Sequence, residues 1–495
     1  MRGSERSPWI SKSRFLAGLQ CDKLLWSHFN AGELFPETNA ATKAIFDQGH
    51  EVGELAKQLF PGGIELATGS FTLQETLDAT AEALKQRKPL YEAAFSADGG
   101  YARPDILDPV DGDAWDVYEV KSGTSVKDVN LHDLAFQTHI FGAAGLKIRR
   151  SHVVHINNDY VRHGEVDPQR LLVIENLTDQ IAQLIPGIQS ALDAQRSIIG
   201  RAESPDVRIG RHCSDPYDCP LTGHCWEFLP EHNVFDLYRG GNRSWALFED
   251  GVCGIEHIGD MIELNEKQEI QRAAVASGLP LVDKAALGDF LSCLDYPLYY
   301  LDFETLSTAI PMFDATRPYQ QIPFQFSLHI QQSPGGALEH HGFLANGVAD
   351  PRPEFMKRLK AVLGTQGSFI VYNQSFEISR LRESAEFLPE YSAWEQRIER
   401  RIVDLLTPFR AFHYYHPDQH GSASIKAVLP AVTGKNYDDL EIKEGGTASA
   451  EFMRVTFRDV AANDCQKVRA ALEEYCTMDT EAMVWIVDEL RKLTS

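Results

Sequence analysis

The chain of 495 residues contains no apolar run approaching the roughly 18 residues that a membrane-spanning helix needs. Met1–Phe15 also lacks the apolar core of a secretion leader, so the expectation is a cytoplasmic protein outside the membrane. Cysteine is scarce: eight in a chain this long exclude a disulfide scaffold. Positive charge is short as well, 47 Lys and Arg against 71 Asp and Glu, for a formal net charge of −24. Such a surface repels polyanions at range and counts against tight non-specific binding to nucleic acid. The clusters Lys85/Arg87/Lys88, Lys147/Arg149/Arg150 and Arg397/Arg400/Arg401 are where phosphate contact could still occur, and each is otherwise a solvated face. Internal repeats and low-complexity tracts are absent.

What is there is a folded composition, 43% hydrophobic and 24% charged, in a chain long enough for two to four domains. Alternating strand and helix patterns in both halves predict an α/β or α+β chain. Tyr296–Leu301 predicts a buried strand, Ser368–Tyr372 another, and Val468–Leu493 a long amphipathic helix. Residues 233–292 read as short helices that pack domains together, broken at Gly240-Gly241, Gly251 and Gly278-Leu279-Pro280. Cys213, Cys219 and Cys225 crowd together, and Cys21 stands apart near the N-terminus. Cys253, Cys293, Cys465 and Cys476 fit apolar core positions.

Leu298-Tyr-Tyr-Leu-Asp302-Phe-Glu304 sets two acids two residues apart on a strand, so both carboxylates leave the same face. Side by side they repel, an arrangement best tolerated around a divalent cation. The strand ending at Tyr372 runs into Asn373-Gln-Ser-Phe376-Glu377, which puts a third carboxylate on the first turn of a helix. In the terminal helix Tyr475 and Asp479 lie one turn apart on a shared face, a pairing that also fits an ordinary buried hydrogen bond. Asp404 is a secondary acid after a strand.

Together these residues resemble the DEDD exonucleases, the DnaQ-like branch of the ribonuclease H-like fold. That family carries Asp-x-Glu, Asn-x-x-Phe-Asp and Tyr-x-x-x-Asp motifs, and Asp302-x-Glu304, Asn373-x-x-Phe376-Glu377 and Tyr475-x-x-x-Asp479 follow in that order. The last is similar to the tyrosine subtype, and Glu377 stands where Asp is usual. The resemblance implies two Mg²⁺ or Mn²⁺ ions. Asp302 would bridge them, Glu304 and Asp479 would hold one and Glu377 the other, and Tyr475 would orient the attacking water.

Nearer the N-terminus, Tyr101–Asp108 and Trp115–Ser122 predict two strands joined by the turn residues Pro109-Val-Asp-Gly-Asp113. Glu119 and Lys121 then share a face, and cross-strand pairing can bring Asp105 beside them. Two acids for a metal and a lysine to position or activate water make a set suited to phosphodiester hydrolysis. The plain alternative is a solvated edge hairpin of alternating charge.

This arrangement resembles the PD-(D/E)xK nucleases of the RecB-like group. The resemblance implies a further metal ligand from a histidine on an upstream helix, here His50 in Gly49-His50-Glu51. It implies a Gln-x-x-x-Tyr helix after the catalytic strand, here Gln137-Thr-His-Ile-Phe141, with Phe in place of Tyr. It also implies a 4Fe–4S cluster on one N-terminal and three later cysteines, matched by Cys21 with Cys213, Cys219 and Cys225. Four thiolates fit iron–sulfur ligation; a Zn²⁺ site, with or without His212 or His224, is the alternative.

The two resemblances divide the chain into a restriction-endonuclease-like PD-(D/E)xK domain over 1–232, a helical connector over 233–292 and a ribonuclease H-like domain over 293–495. The pairing is similar to a bacterial family known chiefly as a domain of unknown function. It implies a metal-dependent dual nuclease acting on single-stranded DNA ends or flaps in repair or defence, with a 3′–5′ exonuclease in the C-terminal domain. Two other readings stay open: a nucleic-acid-binding or sensing protein with one or both sites inactive, and an RNA-processing exonuclease. Likeness at the level of fold leaves substrate and activity to be decided at the sites.

Overall fold

The computed structural model describes residues 9–66 and 72–495; residues 1–8, part of the stretch read for a leader, lie outside the described residues. The protein is mixed α/β and folds as two units. One holds residues up to Thr38, Thr42–Glu227 and Thr308–Gln320; the other holds Asn39–Ala41, Phe228–Ser307 and Gln321–Ser495. Among the described residues no helix is long and apolar enough to cross a membrane.

The main sheet of the first unit has six strands in the order Ile64–Glu65, Leu90–Tyr91, Ile106–Pro109, Trp115–Val120, Ile148–Ile156 and Leu172–Asn176. The expected hairpin is present, with Ile106 opposite Tyr118 and Pro109 opposite Trp115, but its first strand starts later than Tyr101. Gly100–Ala102 instead joins Ile10–Ser11 and Phe95–Ala97 in a separate three-stranded sheet. The break falls at Arg103-Pro104-Asp105, where Pro104 has no N–H to give a ladder. Asp105 is therefore the residue on which the chain passes from one sheet to the other.

Trp115–Val120 and Ile148–Ile156 run parallel, and the connection between them is the helix Asp128–Ala143. Its Leu134, Ala135, Phe136, Ile140 and Phe141 are fully buried. Phe136 stacks on Phe15 at 4.7 Å between ring centroids, and Phe141 meets Phe95 edge-on at 4.9 Å. Each such buried ring contributes roughly 1.5–3 kcal/mol. Residues 308–320 complete this unit: the Arg162 guanidinium donates to the carbonyls of Pro311 and Met312 at 2.9 and 2.7 Å, and the Tyr319 hydroxyl donates to the Ser122 carbonyl.

In the second unit five strands lie in the order Leu338–Leu344, Ile322–Gln331, Leu298–Leu306, Ser368–Val371 and Ile402–Asp404. The first two neighbouring pairs are antiparallel and the last two parallel. Leu298–Leu306 is buried on both faces, which explains its nearly continuous apolar run. Tyr299, Leu301 and Phe303 face a cluster with Phe326, Phe355, Leu359 and Leu381. The opposite face meets the helix Ala462–Thr494, where the Gln325 amide donates to the Leu472 carbonyl at 2.8 Å and Ser327 bonds Thr480 at 2.7 Å.

Residues 228–307 belong to this second unit and include the helices Asn242–Glu249, Glu266–Ser277 and Lys284–Ser292. Gly278 ends the second of them at φ 67°, a left-handed cap that glycine takes without strain. Cys476 is buried and Cys253 and Cys465 are half-buried, but Cys293, expected in the core, is exposed. It caps the helix Lys284–Ser292 on its outer side, so its apolar sequence neighbours misrepresent its surroundings.

Candidate active sites

In the antiparallel ladder Asp302 lies opposite Ser327 and Glu304 opposite Gln325, which fixes both acids on the face that meets Ala462–Thr494. Asp479 comes from that helix and closes the set. One oxygen from each of Asp302, Glu304 and Asp479 lies within 4.8 Å of the others, the one such group of potential metal ligands among the described residues. Glu304 is 8% and Asp479 6% exposed, with Asp302 somewhat more open. Burial pushes Glu304 up to about 8, the Asp479 charge adding and Lys426 opposing. Burial likewise lifts Asp479 to about 6 against hydrogen bonds from Tyr437 and Tyr475 and the Lys426 charge. Asp302, buried and facing Asp479, Glu304 and Glu377, rises well above the ordinary carboxylate range. The protein's own cations leave this set under-neutralised, and an oxygen-liganded divalent ion fits it.

Glu377 follows a parallel strand whose Ser368 pairs with Leu298. Asn373 turns the chain in the left-handed region at φ 84°, which Asn tolerates, and its N–H donates to Asp404 Oδ1 at 2.9 Å. The helix Gln374–Phe387 then starts, with Glu377 in its first turn. Glu377 is 2% exposed, and its Oε2 has no hydrogen-bond partner. Burial raises it to about 8, Asp404 adding and its own backbone amide and Arg380 opposing. It stands outside the three-acid group, although Asp302 feels its charge. A buried, unpartnered carboxylate oxygen is the kind of group that a cation or ordered water satisfies. Asp404 also accepts from Leu406 N–H at 3.0 Å, so it acts as the cap of this turn.

Tyr475 is 4% exposed and hydrogen-bonds Asp479. Sequence reasoning missed its companion: the Tyr437 hydroxyl donates to Asp479 Oδ1 at 2.7 Å, and the two rings lie 6.4 Å apart. It also missed Lys426, whose ammonium sits 5.8 Å from the Tyr437 ring centroid and 5.4 Å from that of Tyr475. The helix Gly445–Phe457 starts against the acids, since a Cβ on Gly445 would lie 3.5 Å from Glu304 Oε2. No spacing rule links these residues to Asp479.

In the first unit the hairpin gathers most of its expected set. The Asp105 carboxylate accepts Val120 N–H at 2.6 Å. Glu119 Oε1 accepts from Lys121 at 2.8 Å, and Glu119 Oε2 accepts from the Gln137 amide at 2.7 Å. Two further residues are present that the motifs did not mark. Lys12 donates to Glu119 Oε1 at 2.5 Å, and Asp133 accepts from Lys121 at 2.7 Å and from Gln137 at 2.9 Å. Asp133 precedes Gln137 by one helical turn and was legible as its face-mate; Lys12 had no signal. Burial and the Glu119 charge push Asp105 to about 7, with Lys12 and Lys121 opposing. For Glu119, burial is outweighed by Lys12, Lys121 and Gln137, and its carboxyl falls to about 2. The two acids thus sit far apart in proton affinity.

His50 lies exposed on the helix Ala40–Lys57, and among the described residues no three-ligand group within 4.8 Å includes His50, Asp105 or Glu119. Phe141 is fully buried in the apolar core, a place with no use for the hydroxyl a tyrosine would bring.

Cys21, Cys213, Cys219 and Cys225 line one pocket together with His212, whereas His224 is exposed. Cys21 caps the junction of the helices Lys12–Gln20 and Asp22–Asn30. The Gln20 amide ties it to the later loop through the carbonyls of His212 and Tyr217, at 2.8 and 2.7 Å. Burial raises the Cys21 and Cys219 thiols, with the neighbouring sulfurs adding, while backbone N–H groups of Leu24 and Lys23 on Cys21 and of Leu221 on Cys219 pull them down.

A family model described as a domain of unknown function (DUF2779) matches residues 299–424. That stretch contains Asp302, Glu304, Glu377 and Asp404 and stops before Tyr437, Tyr475 and Asp479. Among curated proteins the chain is similar to the uncharacterized protein UU173 of Ureaplasma parvum, 28% identical over 227 residues, 41% of this chain and 33% of the relative. It is also similar to the uncharacterized MG366 homolog of Mycoplasma pneumoniae, 28% identical over 207 residues, 38% of this chain and 31% of the relative. The match covers about a third of the length of these curated relatives.

Proposed function

We propose that the protein is a metal-dependent nuclease with two centres, a DnaQ-like one of ribonuclease H-like fold in the second unit and a RecB-like PD-(D/E)xK one in the first. The observation that carries this reading is the convergence of Asp302, Glu304 and Asp479 within 4.8 Å on one sheet face, with the buried Glu377 Oε2 unpartnered close by. The proposed substrate is the end or flap of single-stranded DNA, degraded 3′ to 5′ by the second unit in repair or defence. Asp302, Glu304, Asp479 and Glu377 would hold Mg²⁺ or Mn²⁺ there, and Asp105 and Glu119 would do so in the first unit. Bound at these carboxylates, the ions supply an acidified water and a counter-charge for the leaving oxygen. Tyr437 and Tyr475 keep the Asp479 carboxylate aimed through their hydrogen bonds. Gln137 does the same for Glu119, and Lys121, which bridges Glu119 and Asp133, would position the water.

The thiols are proposed as ligands of a 4Fe–4S cluster. The support is that Cys21, Cys213, Cys219 and Cys225 line one pocket, and four thiolates are what such a cluster takes.

Release of nucleotides from a 5′-labelled single strand in Mg²⁺ or Mn²⁺ tests the reading. Asp302→Ala and Lys121→Ala should each remove a separable part of the digestion, and RNA of matched sequence should compete poorly. Equal digestion by the wild type and both variants would show that the assigned centres are wrong.

A further inference from the structure

The first centre contains a lysine that its motif does not account for. Lys12 is the first residue of the helix Lys12–Gln20, and the fold delivers it by several attachments. Ile10–Ser11 pairs in parallel with Gly100–Tyr101, the strand that leads into Asp105. Phe15, one turn further along, stacks on Phe136, and its carbonyl accepts from the buried Gln195 amide at 2.9 Å. The Lys12 ammonium thereby reaches Glu119 Oε1 at 2.5 Å, the same oxygen that takes Lys121 at 2.8 Å.

The two lysines are not equivalent. Lys121 has a second carboxylate, Asp133, at 2.7 Å, whereas the ion pair of Lys12 is with Glu119. The Lys12 side chain keeps 32% exposure against 1% for Glu119, while its ammonium is held in buried surroundings against the acid. An oxygen shared by two ammonium groups cannot also serve a divalent cation without giving one of them up. Lys121 keeps Asp133 when that happens, so Lys12 is the one released.

We propose that Lys12 is a second functional lysine of this centre, holding Glu119 in the ion-free protein. When Glu119 takes up the cation, Lys12 turns to a non-bridging phosphate oxygen of the nucleic-acid backbone. The proposal rests on the phosphodiester reading of the first unit given above. A flexible ammonium acting as a point charge on phosphate is a role well suited to lysine.

The test uses the full chain carrying Asp302→Asn and Asp479→Asn, which silences the second centre. Mn²⁺ affinity is measured by electron paramagnetic resonance, and KM and kcat are measured on a single-stranded oligonucleotide. Lys12→Met should bind Mn²⁺ severalfold more tightly, because a competitor for Glu119 is gone, and should raise KM at least tenfold with a smaller effect on kcat. Lys12→Arg should restore most of KM. Tighter Mn²⁺ binding also reports that the variant has kept its centre; unchanged or weaker binding overturns the proposal, and so does an unchanged KM. If the parent protein cleaves nothing, the phosphodiester reading fails, and the Mn²⁺ titration alone decides whether Lys12 competes for Glu119.

Discussion

Glu377→Gln should stabilise the metal-free protein, increasingly so as pH rises. The carboxyl is 2% exposed, Oε2 lacks a partner, and burial lifts it from an ordinary 4.5 to about 8. A carboxyl raised on folding costs nothing below its unfolded value; its penalty grows as pH climbs and is complete once pH passes the folded value. Each tenfold change in proton affinity is worth about 1.4 kcal/mol, so the full penalty has an upper limit of about 5 kcal/mol. Water entry and side-chain rotation reduce it, and the variant is expected to gain about 2 kcal/mol over wild type between pH 6 and pH 9. Urea unfolding in EDTA at those two pH values reads this directly. Excess Mg²⁺ should reverse the ranking, since an ion bound to the folded protein stabilises it by mass action and Gln is the poorer ligand. A destabilised variant in EDTA, or a gain that does not depend on pH, would refute the reasoning that Glu377 is buried for a cation.

Tyr437→Phe removes a hydrogen bond that pulls Asp479 down, so the Asp479 carboxyl should rise above about 6. The acid limb of Mg²⁺-dependent cleavage should then move to higher pH by roughly half to one unit, and a superimposable pH–rate profile would exclude any role for this phenol. Anaerobically purified protein should carry stoichiometric iron and sulfide, and Cys213→Ser should lose both while keeping cleavage by the second centre. Zinc as the only metal found would remove the iron–sulfur assignment.

Much of the framework was legible in the chain. Period-two spacing put Asp302 and Glu304 on one face, and helical spacing did the same for Tyr475 and Asp479. Both rest on backbone geometry that neighbours hardly alter. The crowding of Cys213, Cys219 and Cys225 was visible too, and the fold adds that Cys21 lines the same pocket. The extent of the hairpin was less legible, because Pro104 has no N–H for a ladder, and the chain leaves one sheet after Ala102 and joins the next only at Ile106.

Lys12, Tyr437 and Lys426, packed against the acids of the two candidate sites, became visible only in three dimensions. Lys12 and Glu119 are 107 positions apart, and Tyr437 and Asp479 are 42 apart. Lys426 likewise acts from another element on Glu304 and Asp479. The tertiary structure also placed His50 on an exposed helix face and left Glu377 buried beside the three-acid group rather than within it. Local periodicity determines which face a side chain leaves by. Which charges then meet, and how far burial shifts their proton affinities, depends on elements brought together through the whole core.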